Sequence, residues 1–534
     1  MSVVNGMTTL SNLKGYSLKL YPFSNKEGGY LNRKPIPVKE LIEANKEKEK
    51  QPPKTNATDL QYRIDELKRS FNNTHDLIFY KNEFGNNNEH SVQIIYFRSI
   101  VNTAILNQSV IAPLIQYLSK EDLKVSDSFV SDITNKALAV SHYEKTTDMI
   151  YVQNALLDGG VAIVFDGFEE VILIGNAFWS EKSLSTPTVE RSFFGMDIGF
   201  TEHAETNINV IRNFLKSEHF TSELHQIGNK SKTEIYVLYM NDIVDREILN
   251  KANEKIKKIN IDFMTSTRII ALYLQGKQSL FPLSLRTDRP DTIISDLLQG
   301  KVVVMMNGSP YPLVLPSLFL DFFQSPAEYE DNYSRFSGRL IRIFNYFMTI
   351  LLPALYIAFV NLDLKDLPKS IDKALMPQGE IINTFWQLVL LSWILRSLID
   401  GTMRLSSSAI ILVTMLGTLV VGENLATLKI VHPFSLIMMG LIFLTASSVG
   451  NKGLQNSFVT LRHILMIIAY FFGFTGITIG MVIILIYMCT LKSMGVPYMS
   501  PLIPFKPKEI KDSFVRGNLK KILNSKHDYK KGNS

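Results

Sequence analysis

Cysteine is almost absent from this 534-residue chain: Cys489 stands alone. That excludes a disulfide scaffold and any all-cysteine zinc or iron–sulfur centre. Histidine is sparse as well. The nine histidines are scattered, with no HExxH and no close pair, and His432 and His463 fall at the ends of apolar runs. The spacings that hold a catalytic zinc are therefore missing. No GxSxG occurs. Residues 228–233 (GNKSKT) end like a phosphate loop but lack its first glycine, so they read as a basic turn. Gly159-Gly160 follows a helical pattern and precedes a strand, the reverse of the dinucleotide fingerprint. Residues 1–30 contain no apolar signal-peptide core. The expectation is a protein that is not an enzyme, with no catalytic residue, no bound metal and no cofactor.

What is present is a division of the chain by charge. Residues 1–337 carry 36 Lys/Arg against 41 Asp/Glu, residues 338–505 carry 11 against 6, and residues 506–534 carry 9 against 3. The overall +6 thus comes from the apolar half and its tail, and no nucleic-acid partner is expected. In the apolar half, residues 343–362, 405–422, 430–451 and 464–491 lack Asp, Glu, Lys and Arg. A helix needs roughly 17–25 apolar residues to cross the hydrocarbon core, so four spans are expected. A shorter run, 381–395, carries Trp386 and Trp393. It reads as an interfacial or re-entrant helix, with a fifth span as the alternative. A long hydrophilic part without a signal and a basic tail place both ends in the cytoplasm, which requires an even number of spans.

The domain reading is as follows. Residues 1–57 form a flexible charged extension that includes EANKEKEKQPPK. Residues 58–190 are a first soluble lobe, 191–337 a second, α/β lobe, 338–505 a transmembrane helical domain, and 506–534 a basic cytoplasmic tail. The fold class is an α+β or α/β two-lobed N-terminal part followed by an all-α multi-span membrane domain. Leu60, Ile64, Leu67 and Phe71 recur at helical spacing, and residues 103–157 read as mostly helical. Asp166-Gly167 is a hairpin signal between strands 161–165 and 170–175. In the second lobe the pattern predicts helices over 203–216, 245–258 and 292–299. It predicts strands over 224–227, 234–240 and 302–306, with Asp245 capping its helix.

Polar groups in the apolar half supply the candidate sites. Glu423 and Asn424 close the run 405–422. Two readings stand: they border an aqueous path, or Glu423 sits at the headgroups near a snorkelling Lys429. Gly473, Gly476 and Gly480 allow close helix packing, either within one chain or between chains. Pro353 lies inside the first run, and Asn345, Asn383 and Gln387 offer interhelical hydrogen bonds.

Several blocks together resemble one family. Arg289-Pro-Asp291, Leu297-Leu-Gln-Gly-Lys-Val-Val-Val304 and Asn307-Gly-Ser-Pro310 are similar to a block of the GerA family of spore germination proteins. So are Pro316-Ser-Leu-Phe-Leu-Asp-Phe-Phe-Gln-Ser-Pro326, Leu351-Leu-Pro-Ala-Leu-Tyr-Ile-Ala358 and Leu491-Lys-Ser-Met-Gly-Val-Pro-Tyr-Met-Ser-Pro-Leu-Ile-Pro504. The resemblance runs from about residue 60 to 505. The chain departs from the family's pattern around Phe193-Phe-Gly-Met-Asp-Ile-Gly-Phe200 and after Gln378, where Glu380 is the one carboxylate before Asn383.

The resemblance implies an A subunit of a germinant receptor in the spore inner membrane. Its partners would be a transporter-like B subunit, a lipoprotein C subunit, membrane lipid and further copies of itself, as a pentamer. The assembly would form a nutrient-gated ion channel. Two other readings stand: a SpoVA-operon-type paralogue that amplifies germination without sensing a nutrient, and a membrane-anchored signalling scaffold.

Overall fold

The structure, a computed structural model, describes residues 59–85, 89–120, 129–140, 142–175, 198–276, 278–324, 337–362, 375–376, 379–402, 415 and 422–506. The extension 1–57, most of the run 405–422 and all but the first residue of the tail 506–534 lie outside the described residues.

The first soluble part begins where Asp59 caps the helix Leu60–Ser70, its carboxylate accepting from the N–H groups of Gln61 and Tyr62. That helix buries Leu60, Ile64 and Leu67. Strands β1 (Leu77–Phe84), β2 (His90–Phe97), β3 (Tyr143–Thr146), β4 (Val161–Phe165) and β5 (Val171–Ile174) form one sheet in the order β1-β2-β4-β5-β3. The two-residue period of a strand divides its side chains between faces. Val92, Ile94, Val161 and Ile163 pack against the helices of 103–136. Ile95, Phe97, Ala162 and Val164 pack against Leu60–Ser70 and Met149–Leu157. Strand β3 lies inside the stretch expected to be helical. Its sequence, YEKT, is polar because it is an edge strand, with no residue fully buried, and polar edges hide from pattern reading.

The second part repeats this plan. Strands β6 (Phe220–Ile227), β7 (Thr233–Met240), β8 (Leu285–Arg286), β9 (Val302–Met306) and β10 (Leu313–Leu315) lie in the order β6-β7-β9-β10-β8. Both parts read helix, hairpin, two helices, edge strand, helix, hairpin. Every described strand pair is antiparallel, so the helix–strand alternation does not signal a parallel sheet here. The duplication is faintly visible in the residues themselves. Leu156-Leu157, Gly159, Val161 and Gly167 correspond to Leu297-Leu298, Gly300, Val302 and Gly308. Gly159 and Gly300 both end a helix at positive φ (84° and 90°), and Gly167 and Gly308 both turn a hairpin (80° and 91°). Side chains disfavour that conformation, which explains why glycine stands in both copies.

A buried ion pair joins the two sheets. Asp76, just ahead of β1, receives Arg212 Nε at 2.6 Å and Nη2 at 2.7 Å from the helix Ala204–Phe214. Thr74 and Ser99 donate to the same carboxylate at 2.8 Å each. The guanidinium lies between the rings of Phe97 and Phe220, one from each sheet. The backbone of His75 also donates to Ser222 O at 2.8 Å.

Beyond residue 337 the described chain is helical up to Thr490: Arg339–Val360, Thr384–Thr402, the short Gly422–Thr427, Pro433–Ser447 and Lys452–Thr490. Among the described residues two helices, Arg339–Val360 and Lys452–Thr490, are long and apolar enough to cross a membrane, against four expected. The run 430–451 yields a 15-residue helix because Pro433 starts it late and it stops at Ser447, which gives about 22 Å of length. Of the run 381–395, residues 384–395 belong to the helix Thr384–Thr402, which lies along Pro433–Ser447. Gln387 Oε1 accepts from His432 N at 3.0 Å and Ser435 Oγ at 2.8 Å, and further along Ser392 meets Met439. Leu388 and Ser392 are buried inside the bundle, and both tryptophans face outward.

Burial alone would push the Asp76 carboxyl up, but Arg212, Thr74 and Ser99 outweigh it and hold the group below its ordinary value. Its stabilising contribution is therefore complete above the unfolded carboxyl pKa of about 3.9 and is lost as pH falls through the lower folded value. Asp76→Asn leaves Arg212 buried and unpaired. It should cost about 3–5 kcal/mol and remove that acid-side dependence, measured by unfolding of the full chain between pH 7 and pH 3.

Candidate functional site

A buried polar cluster lies where the second sheet meets the helices. Lys301, the residue before β9, is fully buried. Its ammonium donates to Asp296 Oδ1 and Asp321 Oδ2, both at 2.8 Å. Asp296 is in the helix Pro290–Leu298, and Asp321 is in the 3-10 turn Phe319–Phe323. Asp321 also accepts from Leu318 N at 3.0 Å and Gln324 Nε2 at 3.2 Å. Lys301 thus ties sheet, helix and turn together at one charge.

The turn is also where the helical part begins. The rings of Phe319 and Phe323 meet Tyr346 edge-on at 5.8 and 5.5 Å, and Arg342 Nε donates to Phe323 O at 2.7 Å. Apolar packing continues across this point. Tyr236, Leu238, Val303, Met305 and Val314 of the sheet belong to one buried cluster with Tyr346, Ile350, Met438, Ile442, Leu461 and Leu465 of the helices.

In the repeat, Gly160 stands where Lys301 does, and Ala155 where Asp296 does. The equivalence is fixed by one shared hydrogen bond, Gly160 N to Ala155 O at 2.8 Å and Lys301 N to Asp296 O at 3.1 Å. The charge was placed in the copy that is attached to helices. Lys301 lies inside one of the blocks that resemble the family, with no role apparent from its neighbours. A lysine flush against VVVMM, beside its glycine counterpart, was the available signal.

Gly473, Gly476 and Gly480 fall in the helix Lys452–Thr490, which is not straight. Gly473 has φ 58° and ψ −143°. Ser457 Oγ donates to Leu280 O at 2.6 Å, while the Tyr487 hydroxyl accepts from Leu280 N at 3.3 Å and lies 3.2 Å from Ser279 Oγ. A straight helix would hold Ser457 and Tyr487 about 45 Å apart. The element is therefore a hairpin, an outgoing arm and a returning arm turned at Gly473. A Cβ at Gly476 would lie 2.8 Å from Ile468 Cγ2, and one at Gly480 2.7 Å from Leu465 Cδ2. Both glycines pack the returning arm on the outgoing one within the chain. The single span expected over 464–491 becomes the hairpin's apolar tip and returning arm.

After that arm the chain docks back on the second sheet. Strands β11 (Lys492–Ser493) and β12 (Val496–Pro497) form a small hairpin. Ser493 Oγ donates to Leu283 O at 2.7 Å and accepts from Ser317 N at 3.0 Å, and Phe319 N donates to Tyr498 O at 2.9 Å. Met494 and Val496 complete the other core of that sheet. Burial pushes the Tyr498 phenol far above its ordinary value, so this buried hydroxyl stays neutral.

Glu423 and Asn424 fall in Gly422–Thr427, and their side chains lie outside the described residues. Asn345 donates to Ser448 Oγ at 2.8 Å, and Asn383 accepts from Trp386 N at 3.2 Å. Among the described residues no group of three or more His, Cys, Asp or Glu is placed to hold a metal ion.

Duplicated antiparallel sheets rooted on helices of membrane-crossing length define a two-lobed α/β protein with a helical C-terminal part. The chain matches the Bacillus/Clostridium GerA spore germination protein family over residues 65–527 and belongs to it. It is 28% identical over 479 residues to spore germination protein KA of Bacillus subtilis (strain 168), covering 88% of this chain and 86% of that one. It is 26% identical over 410 residues to spore germination protein GerLA of Bacillus cereus, covering 76% and 83%. The crystal structure of the N-terminal domain of the A subunit of the Bacillus megaterium spore germinant receptor GerK3 matches with a TM-score of 0.37 and 22% identity. That match covers 49% of this chain and 96% of that one.

Two measurements check the junction. Lys301→Met leaves two carboxylates buried without a cation. It should cost about 3–5 kcal/mol and raise hydrogen exchange in Phe319–Phe323, whereas replacing Lys301, Asp296 and Asp321 together by apolar residues recovers most of the loss. For the hairpin, Leu465→Cys with Gly480→Cys, in a Cys489→Ser background, should cross-link within one chain on oxidation. Links formed solely between chains would contradict the fold-back.

Proposed function

We propose that this protein is the A subunit of a spore germinant receptor, a multi-pass protein of the spore inner membrane with its sheets and both ends on the spore-core side. Family membership supports a role in germination. The observation that carries the mechanism is the unbroken core between the second sheet and the helices. A sheet that shares its core with a membrane bundle cannot shift alone, because packed interiors have two arrangements or one, not a continuum. Displacement of the sheets by a partner or nutrient then repacks Phe319, Phe323 and Tyr346 and moves the helix Arg339–Val360.

The partners in this reading are a transporter-like B subunit, a lipoprotein C subunit and further copies of the chain, a pentamer enclosing an ion path. In this reading Glu423 and Asn424 border that path.

The test uses the purified protein with and without its B and C partners, in liposomes loaded with potassium. Efflux that requires the partners and a nutrient is expected, and Glu423→Gln should lower it without loss of assembly. No efflux from a verified assembly would favour the membrane-anchored scaffold.

A further inference from the structure

Arg462 differs from the other buried charges. Asp76 with Arg212, Arg289 with Asp291, and Lys301 with its two aspartates are ion pairs, and Arg63 donates to the carbonyls of Phe165 and Glu169. Arg462, on the outgoing arm of the hairpin, is 4% exposed and its Nε is sealed and unpaired. Among the described residues no carboxylate or carbonyl meets its guanidinium. A charge held this way is strongly disfavoured unless a further group completes it.

Its position says what can reach it. Arg462 is five residues beyond Ser457, whose hydroxyl is bonded to Leu280 O of the soluble part, so it sits about 7.5 Å further along the helix. Helical side chains lean toward the helix N-terminus, which returns the guanidinium toward the sheet. One turn earlier Phe458 meets Tyr346, 6.2 Å between ring centres, near the start of the apolar stretch of Arg339–Val360. The cation therefore lies at the boundary between the soluble part and the apolar bundle. With the helices in a bilayer, that is the headgroup level of the near leaflet. Arg342 and the exposed Lys452 stand at the same end of their helices. A planar guanidinium matches an oxyanion with two parallel donors, and basic pockets between helices at this depth take anionic headgroups.

We propose that Arg462 is the cation of a binding site for a phosphate-class anion at the sheet-facing end of the bundle, supplied by the headgroup of an anionic phospholipid. This rests on the helices being membrane-embedded, which insertion of the chain into phosphatidylcholine vesicles reports separately. The experiment is thermal unfolding and native mass spectrometry of the purified, delipidated full chain. Phosphatidylglycerol, phosphatidylcholine or inorganic phosphate is added in separate arms. Phosphatidylglycerol should stay bound and raise the unfolding temperature. Arg462→Gln and Arg462→Met should weaken that binding about tenfold, the scale of one charge-assisted contact, while Lys452→Gln leaves it unchanged. The methionine variant puts an apolar chain in an apolar place and keeps the test open should the glutamine variant not fold.

An equal shift with inorganic phosphate alone supports the anion site and assigns a free anion as its source. Equal phosphatidylglycerol binding by wild type and both variants overturns the proposal. So does loss of oligomer in the variants with lipid binding intact, which would assign the counter-ion to a carboxylate of a second copy.

Discussion

The second sheet and the helical bundle share one buried apolar cluster. Tyr236, Leu238, Val303, Met305 and Val314 pack in it with the helices Ala204–Phe214 and Pro290–Leu298, and the turn Phe319–Phe323 carries it on to Tyr346 of the bundle. Apolar burial contributes roughly 25 cal/mol per Å², so the contact between sheet and bundle cannot be opened without exposing a large apolar surface on both. The rest of the architecture follows from this constraint. The Arg339–Val360 helix has to start at the edge of the sheet, the hairpin of Lys452–Thr490 has to return to Leu280, and the segment after Thr490 has to fold back under Phe319.

The duplication makes the specialisation visible. Both copies use the same strand order and the same paired glycines, yet they differ at the helix–strand junction. The first copy closes that junction with Gly160. The second places Lys301 there and answers it with Asp296 and Asp321. A buried triad of this kind adds little net stability over apolar packing, and its use is to fix one geometry. Here it fixes the turn from which the helices leave. The Asp76–Arg212 pair does the same between the two sheets.

Much of the soluble part was legible in the residues. Strands Val161–Phe165 and Val302–Met306 appear where their apolar runs lie between turn signals, and Asp245 caps Arg246–Lys257 as its position suggests. The Arg339–Val360 helix matches the charge-free run 343–362. What was not legible has physical causes. The polar edge strand Tyr143–Thr146 carries no alternation, and the duplication survives at too few positions to be seen without the fold. The reversal at Gly473 leaves no mark in an unbroken apolar run, because lipid and packed helix select the same side chains. Only the φ angle separates Gly473 from its neighbours Gly476 and Gly480. The burial of Lys301, Arg212 and Arg462 leaves no local mark in the sequence, since it depends on partners far away along the chain.

The central claim is that the second sheet and the bundle form one cooperative unit. Native-state hydrogen exchange on the full-length protein in lipid, across a denaturant series, tests it most directly. Strand β9 and the first turns of Arg339–Val360 should lose protection together, at the same denaturant concentration. A sheet that opens while those helical turns stay protected would contradict it.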